Sequence, residues 1–430
     1  MLEFDSTLKH YDKGILDMLI GAWLKRTVGF SWIFFCVAML MLASCSEQNV
    51  PAEESIVANS SINEMTIISK QFGIGDFNFA DAVAWLSNSE IVIAGGCYNG
   101  GIFDMDRMDG FCIKVDSRGN AIWQETWGGP NQDNIRSILP LDSESSVMLG
   151  RYDEDRVGRE YPEVALWFLV VNSDGTIATE EVISRNGSLQ GYASCFTSDG
   201  EIAVVGERSN QGVESFAFLM ILNLDGQVLL EKEFSSSNSM SRVNSVIETS
   251  NGDYILAGSS GELFDFHGWA RRIDPEGETV WYRDFPNLKS VSVFEANPDG
   301  RTILSTSLDD PQGIYLFEVD NSGELTGWEE MIAWYSKPSN ALVSDSLCYF
   351  CARTLSGDTA ELVYHLFCLD SELCLTDLGS IQTAISIGET SSCSIALSPD
   401  GHWLAAFGDG FSDSGQNQLV WLTTIPLTAQ

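Results

Sequence analysis

The apolar and polar positions along the chain form a unit of about fifty residues that recurs seven times. Each unit has an apolar strand, a turn, a strand ending in Gly, an acidic loop, and an apolar strand that closes on Asp or Asn before a Gly and often a Trp. A repeat of this length indicates one supersecondary unit copied along the chain. The closing positions are Asp116, Asn172, Asn223, Asp274, Asp320, Asp370 and, in the seventh unit, Thr423. Because the steps between them run from 46 to 56 residues, we expect the insertions in loops.

Each unit contains four short runs rich in β-branched and aromatic residues, bounded by Gly, Asp, Asn and Ser, which is the composition of strands. In the fourth unit an Asn251-Gly252 step joins the first two runs, and such a step favours a tight hairpin. No segment between residues 65 and 430 keeps a helical period over three turns. The sequence therefore predicts an all-β chain: a seven-bladed β-propeller of four-stranded antiparallel blades over residues 65–430. Six or eight blades would follow if a weak unit were miscounted.

The seventh unit has three strand-like runs and little chain left for a fourth. The segment that begins at Met65, with the sequence MTIISKQFG, has the pattern of a fourth strand. We therefore predict that this N-terminal strand completes the last blade. Such closure removes open sheet edges. Growth by repetition also lets one domain exceed the usual limit of a single core.

The first residues predict a targeting segment. Lys25-Arg26 precede an apolar stretch from Thr27 to Leu42, which leads into Ala43-Ser44-Cys45. This arrangement resembles a bacterial lipoprotein signal with its lipobox, and the resemblance implies that Cys45 is lipidated and becomes the first residue after cleavage. Residues 1–44 would then be the signal peptide, with a more ordinary length if translation starts at Met18, and residues 45–64 the lipidated Cys and a polar tether. The alternative is an uncleaved anchor helix, because the stretch is near the minimum for spanning a bilayer.

Both readings of the N-terminus place the propeller outside the cytoplasm, on the cell membrane or on an outer membrane. The formal net charge is −38, and it stays the same without residues 1–44, which hold four acidic and four basic residues. An acidic surface repels phosphate backbones and anionic lipid headgroups, so we expect no nucleic-acid partner. Solubility of an exposed protein explains the total charge equally well.

The distribution of the charge is more specific. All seven loops that join second and third strands are net negative, and several contain aromatic residues. In a propeller these loops share one face, and loops on a rigid scaffold commonly carry function. The candidates for binding a protein, a glycan or a cation are Asp104, Asp106, Asp109, Tyr152, Asp153, Asp155, Phe264, Asp265, Asp309, Asp310, Asp409 and Asp413. The alternative is a solvated loop set whose aromatic side chains pack locally.

Two further groups of residues have a candidate chemistry. Asp104, Asp106 and Asp109 before Gly110 resemble a calcium loop, but the third Asp is one position late and the distal Glu is absent, so calcium is a weak candidate and no other cofactor is expected. A symmetric turn after Thr354 would place Cys348 opposite Cys368 and allow a disulfide in an extracytoplasmic compartment. Buried thiols are the alternative.

Catalytic motifs are not evident. There is no Gly-x-Ser-x-Gly, phosphate loop or paired Cys and His arrangement. Paired carboxylates for glycoside cleavage would not show in the spacing, because the ring can bring distant residues together.

The Asp-x-x-Gly-x-x-x-Trp repeat, at Asp116 to Trp123 and at Asp274 to Trp281, resembles the blades of quinoprotein-type propellers and related envelope lipoproteins. The segment SPDGHWLAAFGD from Ser398 is similar to blades of WD-repeat and translocation-type propellers. The resemblance implies that Gly119, Trp123, Gly277 and Trp281 hold blades together, and it gives no quinone site. We therefore predict an extracytoplasmic, membrane-anchored lipoprotein whose propeller is a non-catalytic scaffold for envelope or surface proteins. The alternative is a glycan-binding or glycan-active propeller that uses the acidic and aromatic face.

Overall fold

Every regular element in the described part of the chain is a β-strand. The computed structural model describes residues 68–72, 77–98, 107–153, 163–210, 214–234, 240–262, 265–296, 301–309, 312–333, 336–338, 342–344, 347–355, 361–370, 372–386, 393–411 and 418–427. These residues all belong to one unit, Ala58–Gln430. Within them there is no helix with the length and hydropathy needed to cross a membrane. The predicted signal peptide, Cys45 and the tether lie outside the described residues.

The strands follow the predicted repeat. The chain begins with β1 (Ile68–Phe72). Blades 1 and 2 contain β2 (Phe77–Ser87), β3 (Glu90–Tyr98), β4 (Asp109–Asp116), β5 (Ala121–Trp127), β6 (Asn134–Pro140), β7 (Ser145–Asp153), β8 (Val164–Asn172) and β9 (Ile177–Ile183). Blades 3 and 4 contain β10 (Ser188–Phe196), β11 (Ile202–Asn210), β12 (Glu214–Leu222), β13 (Val228–Phe234), β14 (Met240–Glu248), β15 (Tyr254–Glu262), β16 (Asp265–Ile273) and β17 (Thr279–Phe285).

The last three blades vary more. Blade 5 contains β18 (Ser292–Ala296), β19 (Thr302–Asp309), β20 (Gln312–Val319) and β21 (Leu325–Ala333). In blade 6 the first strand is divided into β22 (Ser336–Pro338) and β23 (Leu342–Ser344), followed by β24 (Leu347–Leu355), β25 (Glu361–Leu369) and β26 (Leu375–Ser386). Blade 7 has β27 (Cys393–Leu397), β28 (Trp403–Phe411) and β29 (Gln418–Pro426). One bridge, Ser386 to Phe411, connects blades 6 and 7.

The N-terminal strand closes the ring as the sequence predicted. β1 pairs antiparallel with β29, from Ile68 opposite Thr424 to Phe72 opposite Val420. It is therefore the fourth strand of blade 7, and Phe72 packs against the core between blades 7 and 1. The prediction of seven four-stranded antiparallel blades is confirmed.

Seven hydrophobic clusters fill the seven spaces between neighbouring blades. One cluster joins blades 2 and 3 through residues such as Phe168 and Phe218, and another joins blades 7 and 1 through Phe407 and Phe111. The other five clusters occupy the remaining interfaces in order around the ring. The core therefore consists of seven separate hydrophobic layers arranged around the ring, and each layer contains residues of two adjacent blades.

The Asp-x-x-Gly repeat forms the turn between third and fourth strands. In blade 5 the Asp320 carboxylate accepts backbone N–H bonds from Ser322 at 2.8 Å and Glu324 at 3.0 Å. Gly323 completes this turn with φ of 79°, a left-handed conformation that costs glycine little. In blade 6 Leu373 occupies the equivalent place with φ of 64°, which is strained for a residue with a Cβ.

Two Trp residues of the repeat each join one blade to the next. The Trp123 indole donates a hydrogen bond of 2.7 Å to the Ser173 carbonyl of blade 2. Trp281 lies so close to the turn of blade 5 that a Cβ on Gly323 would come within 2.8 Å of its ring. The structural role predicted for these two Trp residues is confirmed.

The Cys348–Cys368 disulfide prediction is wrong. Cys348 lies opposite Leu369, and Cys368 lies opposite Tyr349, so the real register differs by one residue from the predicted one. A one-residue difference turns the two side chains to opposite faces of the sheet. Cys348 packs in the core shared with blade 5, and Cys368 packs in the core shared with blade 7.

The closure can be tested by truncation. A chain that begins at Gly73 lacks β1, and we expect its free energy of unfolding to fall by roughly 3 kcal/mol, comparable to the loss of one buried Phe. The exposed edge of β29 should also promote association that depends on protein concentration. Urea unfolding and sedimentation measure the two effects, with a chain beginning at Met65 as the control. Equal stability and equal mass for both chains would contradict the closure.

Candidate functional site

The innermost strands carry a β-bulge at the same place in blades 1 to 5. The first strands of neighbouring blades contact one another, which identifies them as the strands around the centre of the ring. In each of the five, the register shifts by one residue against the second strand. The bulged residues are Asp81, Arg136, Tyr192, Asn244 and Phe294. Bulges commonly redirect side chains next to functional sites.

A glycine on the second strand makes room for this bulge. A Cβ at Gly206 would lie 1.8 Å from the Gln190 carbonyl oxygen, a distance that no side chain can adopt. Gly95, Gly150 and Gly258 have the same close approach in blades 1, 2 and 4. The glycine that ends the second strand of the repeat is therefore the sequence signal for a bulged residue at the centre, although we did not predict these residues from it.

The polar side chains at the bulges connect three successive blades. Asn134 Nδ2 donates a hydrogen bond of 3.2 Å to Asp81 Oδ2, which joins blade 2 to blade 1. The Arg136 guanidinium lies 5.2 Å from the centre of the Tyr192 ring, in cation–π contact between blades 2 and 3. The Tyr192 hydroxyl in turn donates to Glu207.

Arg242 of blade 4 extends the series. Its Nε donates a hydrogen bond of 3.0 Å to Ser259 Oγ, and its guanidinium lies 5.8 Å from the Phe266 ring centre. Asn244, the bulged residue of the same strand, donates a hydrogen bond of 2.7 Å from Nδ2 to Ser290 Oγ. The centre of the ring thus carries two carboxylates, two guanidinium groups and a tyrosine from four blades.

Burial changes the acidity of these groups. Burial raises the pKa of Asp81 to about 6, against the lowering effects of the nearby Arg136 and of the Asn134 hydrogen bond. Burial and the Glu207 carboxylate raise the pKa of Tyr192 to about 12. The pKa of Glu207 is also raised by burial, although Arg242, Tyr192 and Arg136 all favour its ionised form. Perturbed groups of this kind cluster at functional sites.

A cavity of about 250 Å³ lies between blades 3 and 4 beside this cluster. Glu207 and Arg242 line it together with Phe266 and Met240. Ser209, Glu214, Ser215 and Ser241 form the rest of the lining. The volume is below the range of about 300 to 1,000 Å³ usual for drug-sized ligands, so the space suits one small molecule.

Tyr152 and Asp153, two of the predicted binding residues, contact other residues of the propeller. The Asp153 side chain has no exposed surface, and its carboxylate lies 3.3 Å from Arg151. Its backbone N–H donates a hydrogen bond of 2.7 Å to Asp133, whose pKa burial raises. Tyr152 packs against Trp167 with 5.7 Å between ring centres. The direct partner contact predicted for Asp153 is therefore unavailable in this structure.

The other predicted residues that the structure describes lie near the strand ends where the second and third strands of a blade are joined. Asp109 begins β4 and forms an ion pair of 3.4 Å with Arg107. Asp265 begins β16 and is exposed, Asp309 ends β19, and Asp409 lies in β28. Asp104, Asp106, Asp155, Phe264, Asp310 and Asp413 lie outside the described residues. The calcium prediction is therefore untested, and the described part of the chain holds no group of three potential metal ligands.

No protein-family model and no curated protein match the chain. Among solved structures it is similar to Chaetomium thermophilum Sqt1 (12% identity, 83% of this chain, 98% of that chain, TM-score 0.46). It is also similar to the WD40 domain of SCAP from fission yeast (10% identity, 83% and 98%, TM-score 0.40). A third is Trypanosoma rangeli sialidase in complex with the inhibitor DANA (8% identity, 82% and 55%, TM-score 0.44).

The raised pKa of Asp81 predicts a pH-dependent stability. Because the folded pKa of about 6 lies above the ordinary pKa of 3.8, ionisation of Asp81 costs stability as the pH rises through 6. Asp81→Asn should therefore be more stable than the wild type at pH 8 by about 2 to 3 kcal/mol, and equally stable near pH 4. Urea unfolding at both pH values measures this, with Asp199→Asn at an exposed turn as the control. An advantage that does not change with pH would contradict the prediction.

Proposed function

We propose that the chain is an extracytoplasmic lipoprotein, anchored through Cys45, whose propeller is a non-catalytic scaffold for an envelope or surface protein. The anchor would lie in the cell membrane or an outer membrane. The partner would bind the face of the ring where second and third strands are joined, which we call the loop face. The lipobox-like sequence supports the anchor, and the arrangement of carboxylates at this face supports the binding role.

The observation that carries the binding role is the position of the acidic residues. Glu262 ends β15 and Asp265 begins β16, and both are exposed at the loop face of blade 4. Asp309 ends β19 at the equivalent place in blade 5. These carboxylates give the loop face a negative potential at blades 4 and 5, which favours a partner with a basic surface.

Charge removal on the two faces tests this proposal. In one variant Glu262, Asp265 and Asp309 are changed to the matching amides. The control variant makes the same change at Asp199, Asp225 and Glu276, which lie in exposed turns at the opposite end of the strands. We expect the loop-face variant to bind its envelope partner about tenfold more weakly, because three ion pairs of about 0.5 kcal/mol each give about 1.5 kcal/mol, close to the roughly 1.4 kcal/mol of a tenfold change.

The measurement is quantitative cross-linking and capture from the cell's own envelope at low and high salt. The control variant should retain the partner, and salt should weaken binding of the wild type. Equal loss in both variants would indicate a non-specific charge effect, and retention by the loop-face variant would contradict the proposed surface.

Lipidation is tested separately at Cys45. The Cys45→Ser variant should lose incorporation of labelled palmitate and move from the membrane fraction to the soluble fraction, because the lipid chains supply the membrane affinity. Fractionation after signal processing measures this, with Cys36→Ser as the control. A Cys45→Ser protein that stays in the membrane fraction would favour the uncleaved anchor helix.

Glycan binding is the second candidate. The cavity between blades 3 and 4 favours it, because Phe266 offers an apolar surface while serines and two carboxylates supply hydrogen-bonding groups. Pockets with apolar walls and a few placed polar groups are typical of small-ligand sites.

A further inference from the structure

The cavity between blades 3 and 4 lies at the loop face. The end of β11 and the start of β12 border it, and so does Met240 at the start of β14, which pairs with Gly261 near the end of β15. We propose that this cavity receives one lysine side chain of the basic partner protein, which rests on the scaffold function proposed above and identifies the group that anchors the partner.

The charge of the cavity lining favours a cation. Glu207 and Glu214 supply two carboxylates, and Arg242 supplies one guanidinium. Among the residues that the structure describes, no lysine or arginine lies within ion-pair distance of either carboxylate. A ligand with one positive charge therefore supplies the counter-charge that the lining lacks, whereas an anion would add to the repulsion.

The two carboxylates lie at different depths. Glu207 is two residues from Val205 on β11, so it shares the face that packs against blade 4, and it is half-buried. Glu214 begins β12 and is exposed, so it lies at the mouth of the cavity. An approaching ammonium group therefore meets Glu214 first and is attracted further by Glu207.

Arg242 forms one wall of the cavity. Its Nε donates a hydrogen bond of 3.0 Å to Ser259 Oγ, and its guanidinium lies 5.8 Å from the centre of the Phe266 ring. The ring thus already has a delocalised cation beside it. A compact ammonium group that pairs with the carboxylates suits the remaining space better than a second planar guanidinium, which favours lysine over arginine.

The other lining residues match the stem of a lysine. Met240 and Phe266 offer apolar surface to its methylene groups, and Ser209 offers a hydroxyl oxygen to its N–H donors. The volume of about 250 Å³ is sufficient for one side chain. For comparison, an apolar cavity of about 150 Å³ holds a benzene molecule.

Calorimetric titration of the purified full chain tests the cavity without the partner. The probes are Nα-acetyl-lysinamide, its Nε-acetylated form, Nα-acetyl-argininamide and N-acetylglucosamine, each at millimolar concentration. Nα-acetyl-lysinamide should bind at least about tenfold more tightly than the Nε-acetylated form, which keeps the stem without the charge. It should also bind more tightly than the arginine derivative and the neutral sugar, and high salt should weaken its binding.

Variants locate the site and test the sign of its charge. Glu207→Gln and Glu214→Gln should each weaken binding of Nα-acetyl-lysinamide about fivefold, because each removes one carboxylate. Arg242→Gln should strengthen binding by about the same factor, because it removes the positive charge that opposes the ligand. Glu201→Gln is the matched control, since Glu201 precedes β11 at the opposite end of that strand. Its affinity should equal that of the wild type.

Capture from the cell's own envelope then tests whether the partner uses the cavity. Glu207→Gln and Glu214→Gln should each reduce capture of the partner about fivefold, and Glu201→Gln should leave it unchanged.

Three results would overturn the proposal. They are binding of Nα-acetyl-lysinamide no tighter than that of its Nε-acetylated form, tighter binding of N-acetylglucosamine than of the lysine derivative, and full capture of the partner by both cavity variants. The first two comparisons use the wild-type protein, so they hold even if a variant folds poorly.

Failure of the cavity and failure of the scaffold function give different results. If the titrations fail while the loop-face charge variant loses its partner, the cavity assignment is wrong and the scaffold function stands. If the lysine derivative binds while the loop-face charge variant keeps its partner, the proposed scaffold surface is wrong.

Discussion

The burial of apolar side chains between neighbouring blades is the interaction on which the rest of the structure depends. A single four-stranded blade has apolar side chains on both faces; in β3 the seven residues from Ile91 to Cys97 are all buried. Neither face can be left to water, so each blade needs a neighbour on both sides. A ring satisfies this need for every blade, and the seven clusters in the seven interfaces are the result. β1 contributes to this closure, because Phe72 packs against the core between blades 7 and 1.

The same packing explains where chemistry is available. The inter-blade layers are filled with apolar side chains, and the outer strands are largely exposed. Charged and polar side chains of neighbouring blades meet where the innermost strands carry their bulges. In blades 1 to 4 a glycine on the adjacent strand makes room for the bulge. In blade 5 Leu304 replaces that glycine, and the bulged residue there is Phe294, which is buried in the core shared with blade 6.

The sequence predicted the repeat, the blade number, the closing strand and the structural Trp and Gly residues, because each depends on local patterns that recur. It predicted the wrong register for Cys348, since Leu362 pairs with Leu355 and not with Thr354, and a loop's length alone does not define a register. It also missed Arg136 and Tyr192. Their proximity depends on the rotation between adjacent blades, and they are 56 residues apart in the chain. Asp153 illustrates the reverse case, because an acidic loop position gave no indication that the side chain is buried and bonded to its surroundings.

The position of β1 has a mechanical consequence. It is the outermost strand of blade 7 and is held by one ladder of five residue pairs to β29. Tension applied to the chain upstream of Ile68 therefore loads this ladder before any other part of the ring. If the force ran along the strand, the five residue pairs would bear it together in shear. If the force ran perpendicular to the strand, the pairs would separate one after another. β1, the strand that closes the propeller, is thus the first element expected to detach when the protein is pulled by its N-terminus.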